Sequence, residues 1–96
     1  MASVTPVQFT LRLVNKLPTP RVVIFEPWTG EYQLAASTTL DIAVEGSPKT
    51  PLEIELDGDR IIVYAFDTTD AMLTAYRDGR ELRSEHGMPL NGQGHR

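Results

Sequence analysis

Apolar residues recur at every second position along much of this chain, and a period of two is the geometry of a strand with one buried face. Val7, Phe9, Leu11 and Leu13 alternate with Gln8, Thr10 and Arg12. Leu40, Ile42 and Val44 alternate with Asp41, Ala43 and Glu45, and Leu52, Ile54 and Leu56 alternate with Glu53 and Glu55. Tyr32, Leu34 and Ala36 make a weaker set. A helix would scatter these side chains around its axis, whereas a strand delivers each set to one side. Two further runs, Val22-Val23-Ile24-Phe25 and Arg60 to Phe66, are apolar on both faces, as strands covered on both sides are. Thr68 to Tyr76 offers a helix cap at Thr68-Thr69-Asp70, yet Met72, Thr74 and Tyr76 alternate, and the alternation favours a strand.

Turn residues separate these runs. Pro18 and Pro20 end the first, Pro27-Trp28-Thr29-Gly30 reads as a turn, and Gly46 to Pro51 has the composition of a loop. Asp57-Gly58 predicts a tight hairpin between the strand of Leu52 to Leu56 and that of Arg60 to Phe66. A second hairpin is expected at Asp78-Gly79. A two-residue turn there would set Arg77 opposite Arg80, so a three-residue loop with Gly79 left-handed, pairing Tyr76 with Arg80, is the expectation.

The chain has 96 residues, room for one core and no second. Residues 1–83 read as a single domain and 84–96, where the periodicity is lost, as a flexible tail. Short strands with turns every ten residues or so predict an all-β fold, a small antiparallel two-sheet sandwich of six or seven strands with immunoglobulin-like or cupredoxin-like topology; a small barrel is the alternative.

Charge and composition exclude several functions. Nine scattered Lys and Arg against 13 Asp and Glu, a net charge of −4, oppose binding to a phosphate backbone, so no nucleic-acid partner is expected. There is no Cys, which removes disulfides, thiolate metal centres (blue copper included) and cysteine nucleophiles. No apolar run approaches the roughly 18 residues of a membrane-spanning helix, and the opening Met1 to Pro6 has no signal-peptide character. No membrane association and a cytoplasmic location are the expectations.

Residues that could carry chemistry are few. The two histidines, His86 and His95, fall in the tail, where a base cannot be held rigidly beside a nucleophile, and no catalytic residue is assigned. Asp41, Glu45, Glu53 and Glu55 could gather as an acid–base set if their strands paired, but outward strand positions are ordinarily polar. Asp57-Gly58-Asp59 and Asp67-Thr68-Thr69-Asp70 offer oxygen ligands without calcium-loop spacing and read as turns; His86, Met88 and His95 would pay ordering entropy to gather a metal. No metal site and no cofactor are expected.

The most distinctive local feature is Glu26-Pro27-Trp28-Thr29-Gly30-Glu31-Tyr32, which concentrates the sole Trp, a Tyr and two carboxylates around a turn. Glu26, Trp28, Glu31 and Tyr32 are the candidate ligand-binding residues, with Trp28 and Tyr32 as a stacking platform for a carbohydrate or small ligand; the alternative is that Trp28 plugs one end of the core. Glu26-Pro27-Trp28, Glu31-Tyr32 and Leu34, followed by Leu40 to Val44 and the Tyr76-Arg77-Asp78-Gly79 turn, resemble a set of short uncharacterised bacterial β-sandwich proteins with a Glu-Pro-Trp…Glu-Tyr-x-Leu pattern. This chain has Ala36-Ser37-Thr38 where that pattern suggests a Pro-Gly turn. The resemblance implies the fold and no mechanism.

These features point to a non-enzymatic interaction or structural module. A small-ligand binder, or an accessory protein of a larger assembly such as a virus capsid, are the alternatives. A protein partner or homodimer is expected through the run of Arg60 to Phe66. A two-residue turn at Asp57-Gly58 sets Ile61 and Val63 inward and leaves Ile62, Tyr64 and Phe66 as an outward stripe, and a three-residue turn exchanges the sets. Such a stripe marks an interface unless Thr68 to Tyr76 covers it.

Overall fold

The alternating segments become strands at the expected places. The computed structural model describes residues 5–83. Eight strands follow in order: β1 (Val7–Asn15), β2 (Arg21–Glu26), β3 (Gly30–Leu34), β4 (Thr38–Gly46), β5 (Glu53–Asp57), β6 (Arg60–Tyr64), β7 (Met72–Arg77) and β8 (Arg80–Glu81). They form two four-stranded sheets, β1-β4-β7-β8 and β3-β2-β6-β5, which make a small β-sandwich. Of the Thr68 to Tyr76 segment, Thr68 to Asp70 is a turn and the part from Met72 is strand β7, with no helix among the described residues.

Every pair is antiparallel except β2 and β6, which run parallel with Val23 beside Ile61 and Phe25 beside Val63. The all-antiparallel expectation fails there because the β5–β6 hairpin returns β6 alongside β2 in the same sense. Backbone bonds from Val22 N to Asp59 O and from Ala65 N to Glu26 O, both 3.0 Å, extend that ladder at its two ends. β2 and β6 have strands on both edges, so neighbouring side chains crowd their outward faces as well, and Ile24 and Ile62 there are 7 % and 8 % exposed.

The core is the inward face of each strand: Val23, Phe25, Tyr32, Leu34, Leu40, Ile42, Val44, Val63, Phe66, Leu73 and Ala75 are buried together. Asn15 is the sole buried polar residue among those described, 4 % exposed. Its amide donates to Thr19 O (2.9 Å), Leu34 O (3.1 Å) and Ala35 O (3.3 Å), and its carbonyl accepts from Leu17 N at 3.0 Å. One side chain therefore ties the end of β1 to both the crossing loop and the end of β3.

Turn chemistry sets the registers. Asp57 faces Arg60 across a two-residue turn of Gly58 and Asp59, with Gly58 at φ 63°. This places Leu56 opposite Ile61 and Ile54 opposite Val63. The turn is centred one residue later than Asp57-Gly58, which shifts partners by two and so preserves faces: Ile61 and Val63 point inward. The second hairpin departs from the expected three-residue loop. Asp78 (φ 54°) and Gly79 (φ 79°) form a two-residue turn, with Arg77 opposite Arg80 and Tyr76 opposite Glu81. Positive φ at both central residues is what a type I′ hairpin requires. The like charges are relieved because the Arg77 guanidinium donates to Gln33 O at 2.5 Å on the facing sheet.

Gly46, at φ 145°, closes the far end. A Cβ there would meet Ala71 Cα at 3.1 Å and Phe66 Cδ2 at 3.2 Å, so the bare backbone lets the β6–β7 connection fold over β4.

Candidate functional site

The two sheets are closed on one side and open on the other. On the closed side β7 reaches β3 through the Arg77–Gln33 bond, and Glu81 of β8 lies close enough to the Tyr32 hydroxyl to add to the effect of burial in raising its pKa. On the open side are the two edge strands, β1 and β5. Val14, Asn15 and Leu17 share a small cleft of about 240 Å³ with Leu56, Gly58 and Ile61, which sets the end of β1 beside the β5–β6 hairpin.

Both edge strands turn apolar residues toward the interior that the core does not fully use. Phe9 faces the same side as Val44, its partner in β4, yet is 41 % exposed. Ile54 and Leu56 share the face of Val63 and Ile61 but are 39 % and 79 % exposed. Leu17 and Val14 add further exposed apolar surface at that end. Each strand also has one backbone edge without a strand partner among the described residues. Edge strands are commonly guarded by lysines, prolines or bulges. β1 has none of these along its nine residues. Its one cation, Arg12, is turned back onto Asp41 of β4 through bonds of 2.7 and 3.1 Å, which raise the Arg12 pKa and hold the Asp41 carboxyl below its ordinary range.

The outward stripe expected at Ile62, Tyr64 and Phe66 does not form. β6 ends at Tyr64, the chain turns, and Phe66 is buried in the core beneath Gly46. Ile62 does face outward, but it is 8 % exposed, paired with Ile24 of β2 and flanked in register by Glu55. Tyr64 is half-buried, and its hydroxyl donates to Glu55 Oε1 at 2.6 Å, a bond that pushes its pKa up to about 12. Long side chains with polar tips thus cover the isoleucines. β7 belongs to the other sheet and covers nothing here.

The stacking platform is likewise not assembled. Tyr32 is 3 % exposed, and its ring packs against Phe25 with centroids 4.7 Å apart. It points inward because it pairs with Val23 on the core face of β2. Trp28 is half-buried against the core at one end of the sandwich, and the Glu26–Pro27 peptide before it is cis. Glu26 and Trp28 border an open cleft of about 770 Å³ with Pro51, Glu53, Tyr64 and Asp67, whereas Glu31 lies away from it, opposite Ile24.

The carboxylates do not converge. β4 and β5 belong to different sheets, so Asp41 and Glu45 are parted from Glu53 and Glu55. Asp57 pairs with Arg60 at 2.7 Å, and Asp70 accepts from the Ser47 hydroxyl and amide, which lower its pKa. Among the described residues no three His, Cys, Asp or Glu gather to hold a metal ion, and no helix is long and apolar enough to cross a membrane. His86, Met88 and His95 lie outside the described residues.

Sequence reasoning placed Phe9, Ile54 and Leu56 in the core because their alternation is that of buried positions. Only the strand order reveals that they stand at edges. The chain matches no protein-family profile, no curated protein and no solved structure.

Proposed function

We propose that this domain is a non-enzymatic interaction module and that the open side of the sandwich, between the edges of β1 and β5, is its contact surface. The observation that carries this reading is the exposure of Phe9, Ile54 and Leu56 on the inward faces of two edge strands. Apolar residues at such positions are completed by an added layer or strand. Covering Leu56 alone supplies about 1.5–3 kcal/mol. The partner is a protein, since an extended chain can satisfy both the backbone edge and the apolar groups beside it. The outer face of the second sheet carries Glu26, Glu31, Glu53, Glu55 and Asp57, and carboxylates in that density repel nucleic acid and anionic lipid. Asp41 and Glu45 lie on one sheet and Glu53 and Glu55 on the other, while the apolar groups gather along the open side, and this favours a binding module.

The test is capture from an extract of the host cell with the purified chain as bait. Wild type and Gln33→Lys, on the closed side, should retain the same protein, and Leu56→Lys should lose at least ten-fold of it. Equal capture by Leu56→Lys sinks the reading.

A further inference from the structure

The two edges differ in what they can accept, and the difference names a partner. The self-pairing of a strand about a two-fold axis places residues equidistant from the axis opposite one another. For β5 that sets Glu55 against Glu55 and Glu53 against Asp57, three carboxylate pairs along five residues; Arg60 offsets those that include Asp57, but Glu55 meets Glu55 with no cation beside it among the described residues, and like charges directly opposite are destabilising. For β1, an axis through Leu11 sets Leu11 against Leu11, Phe9 against Leu13, Thr10 against Arg12, Gln8 against Val14 and Val7 against Asn15. Every position of the strand finds a partner, the apolar face stays on one side, and no two like charges meet. Arg12 enters this pairing already neutralised by Asp41.

We propose that β1 is the seat of a second copy of this chain, bound antiparallel about a two-fold axis through Leu11; this rests on the interaction reading above and names the occupant of the β1 edge of its contact surface. The pairing joins the two β1-β4-β7-β8 sheets into one continuous eight-stranded sheet. It removes the unguarded edge of β1 from solvent and covers the exposed ring of Phe9 with Leu13 of the other copy. A C2 contact closes on itself, so assembly stops at the dimer. The alternative of β1 on β5 of the next copy is head-to-tail and builds rings or filaments in place of a two-fold dimer.

Thr10 provides the test because it is exposed in the monomer and meets Arg12 twice in the dimer. Sedimentation of the full chain across micromolar to millimolar concentration should show a monomer–dimer equilibrium. Thr10→Arg creates two like-charge pairs and should weaken dimerisation roughly five-fold or more, while Thr10→Glu should dimerise at least as tightly as wild type. Circular dichroism confirms that both variants fold. Amide exchange should slow along β1 and not along β5 as the dimer forms. A chain that stays monomeric throughout overturns the proposal, as do a dimer indifferent to Thr10→Arg and assembly that proceeds to polymers. If the chain is monomeric while capture from the extract still depends on Leu56, self-pairing fails and the interaction reading stands; loss of both results removes both.

Discussion

Asn15 holds three pieces of chain together, and its replacement tests whether a single polar side chain anchors the junction of β1, β3 and the crossing loop. Its amide has two hydrogens for three carbonyl oxygens, so Thr19 O and Leu34 O, at 2.9 and 3.1 Å, are the principal acceptors and Ala35 O shares. With the bond accepted from Leu17 N, three full hydrogen bonds are lost in Asn15→Ala. At about 1 kcal/mol net for each the cost is about 3 kcal/mol, and any carbonyl left dry adds to it. That is a large share of the roughly 5–15 kcal/mol that holds a domain folded. Asn15→Asp keeps the volume and the acceptor but brings no amide hydrogens to those carbonyls. The introduced carboxyl, buried among oxygen atoms, has a folded-state pKa raised above its unfolded value near 3.9. Its penalty is therefore small below that value and grows as pH rises through the folded pKa. Urea unfolding followed by circular dichroism should place Asn15→Asp below Asn15→Ala at neutral pH, with the gap closing near pH 4. A loss under about 1 kcal/mol for Asn15→Ala, or a gap that ignores pH, refutes the reasoning.

Three further outcomes follow from the geometry. Gly46→Ala should cost about 1–3 kcal/mol in the same assay, because its φ of 145° strains any L side chain and a Cβ would press against Ala71 and Phe66; an unchanged midpoint contradicts this. The Tyr64 ring should titrate at about 12 by NMR and return toward the ordinary value near 10 in Glu55→Gln. Since the folded pKa is the higher one, the stabilisation linked to this phenol is complete below the unfolded pKa and is lost as pH rises through about 12. The Asp70 carboxyl is held low by Ser47, so its contribution is present above the unfolded pKa and disappears as pH falls through the folded one; Ser47→Ala should blunt the acid limb of the stability curve.

Much of the fold could be read from the residues, and the failures are instructive. Period-two patterning located β1, β4 and β5 because each has one apolar face, and Asp57-Gly58 gave the right inward set for β6 even though the turn sits a residue later. The Asp78-Gly79 hairpin went astray because local charge argued against an Arg77–Arg80 pair, while the relief comes from Gln33 on the facing sheet, 44 positions away in sequence. The sequence pattern points to an interface at Ile62, Tyr64 and Phe66 for a related reason. An apolar outward face looks exposed until strand order shows Ile62 beside Ile24 and beneath the Tyr64–Glu55 pair. Conversely, the clean alternation of Phe9, Ile54 and Leu56 looks buried until the same strand order puts β1 and β5 at the edges. Both errors concern which strand neighbours which, and no local pattern encodes that.

Photo-crosslinking in the host cell tests the contact surface most directly. A photoreactive residue at position 56 lies on the open side, and one at position 33 lies on the closed side, in the strand at the opposite edge of the same sheet. Position 56 is predicted to yield a discrete protein adduct, a second copy of the chain or another protein, that position 33 does not. Equal adducts at both positions, or none at 56, would contradict the assignment of the open side as the surface through which this domain acts.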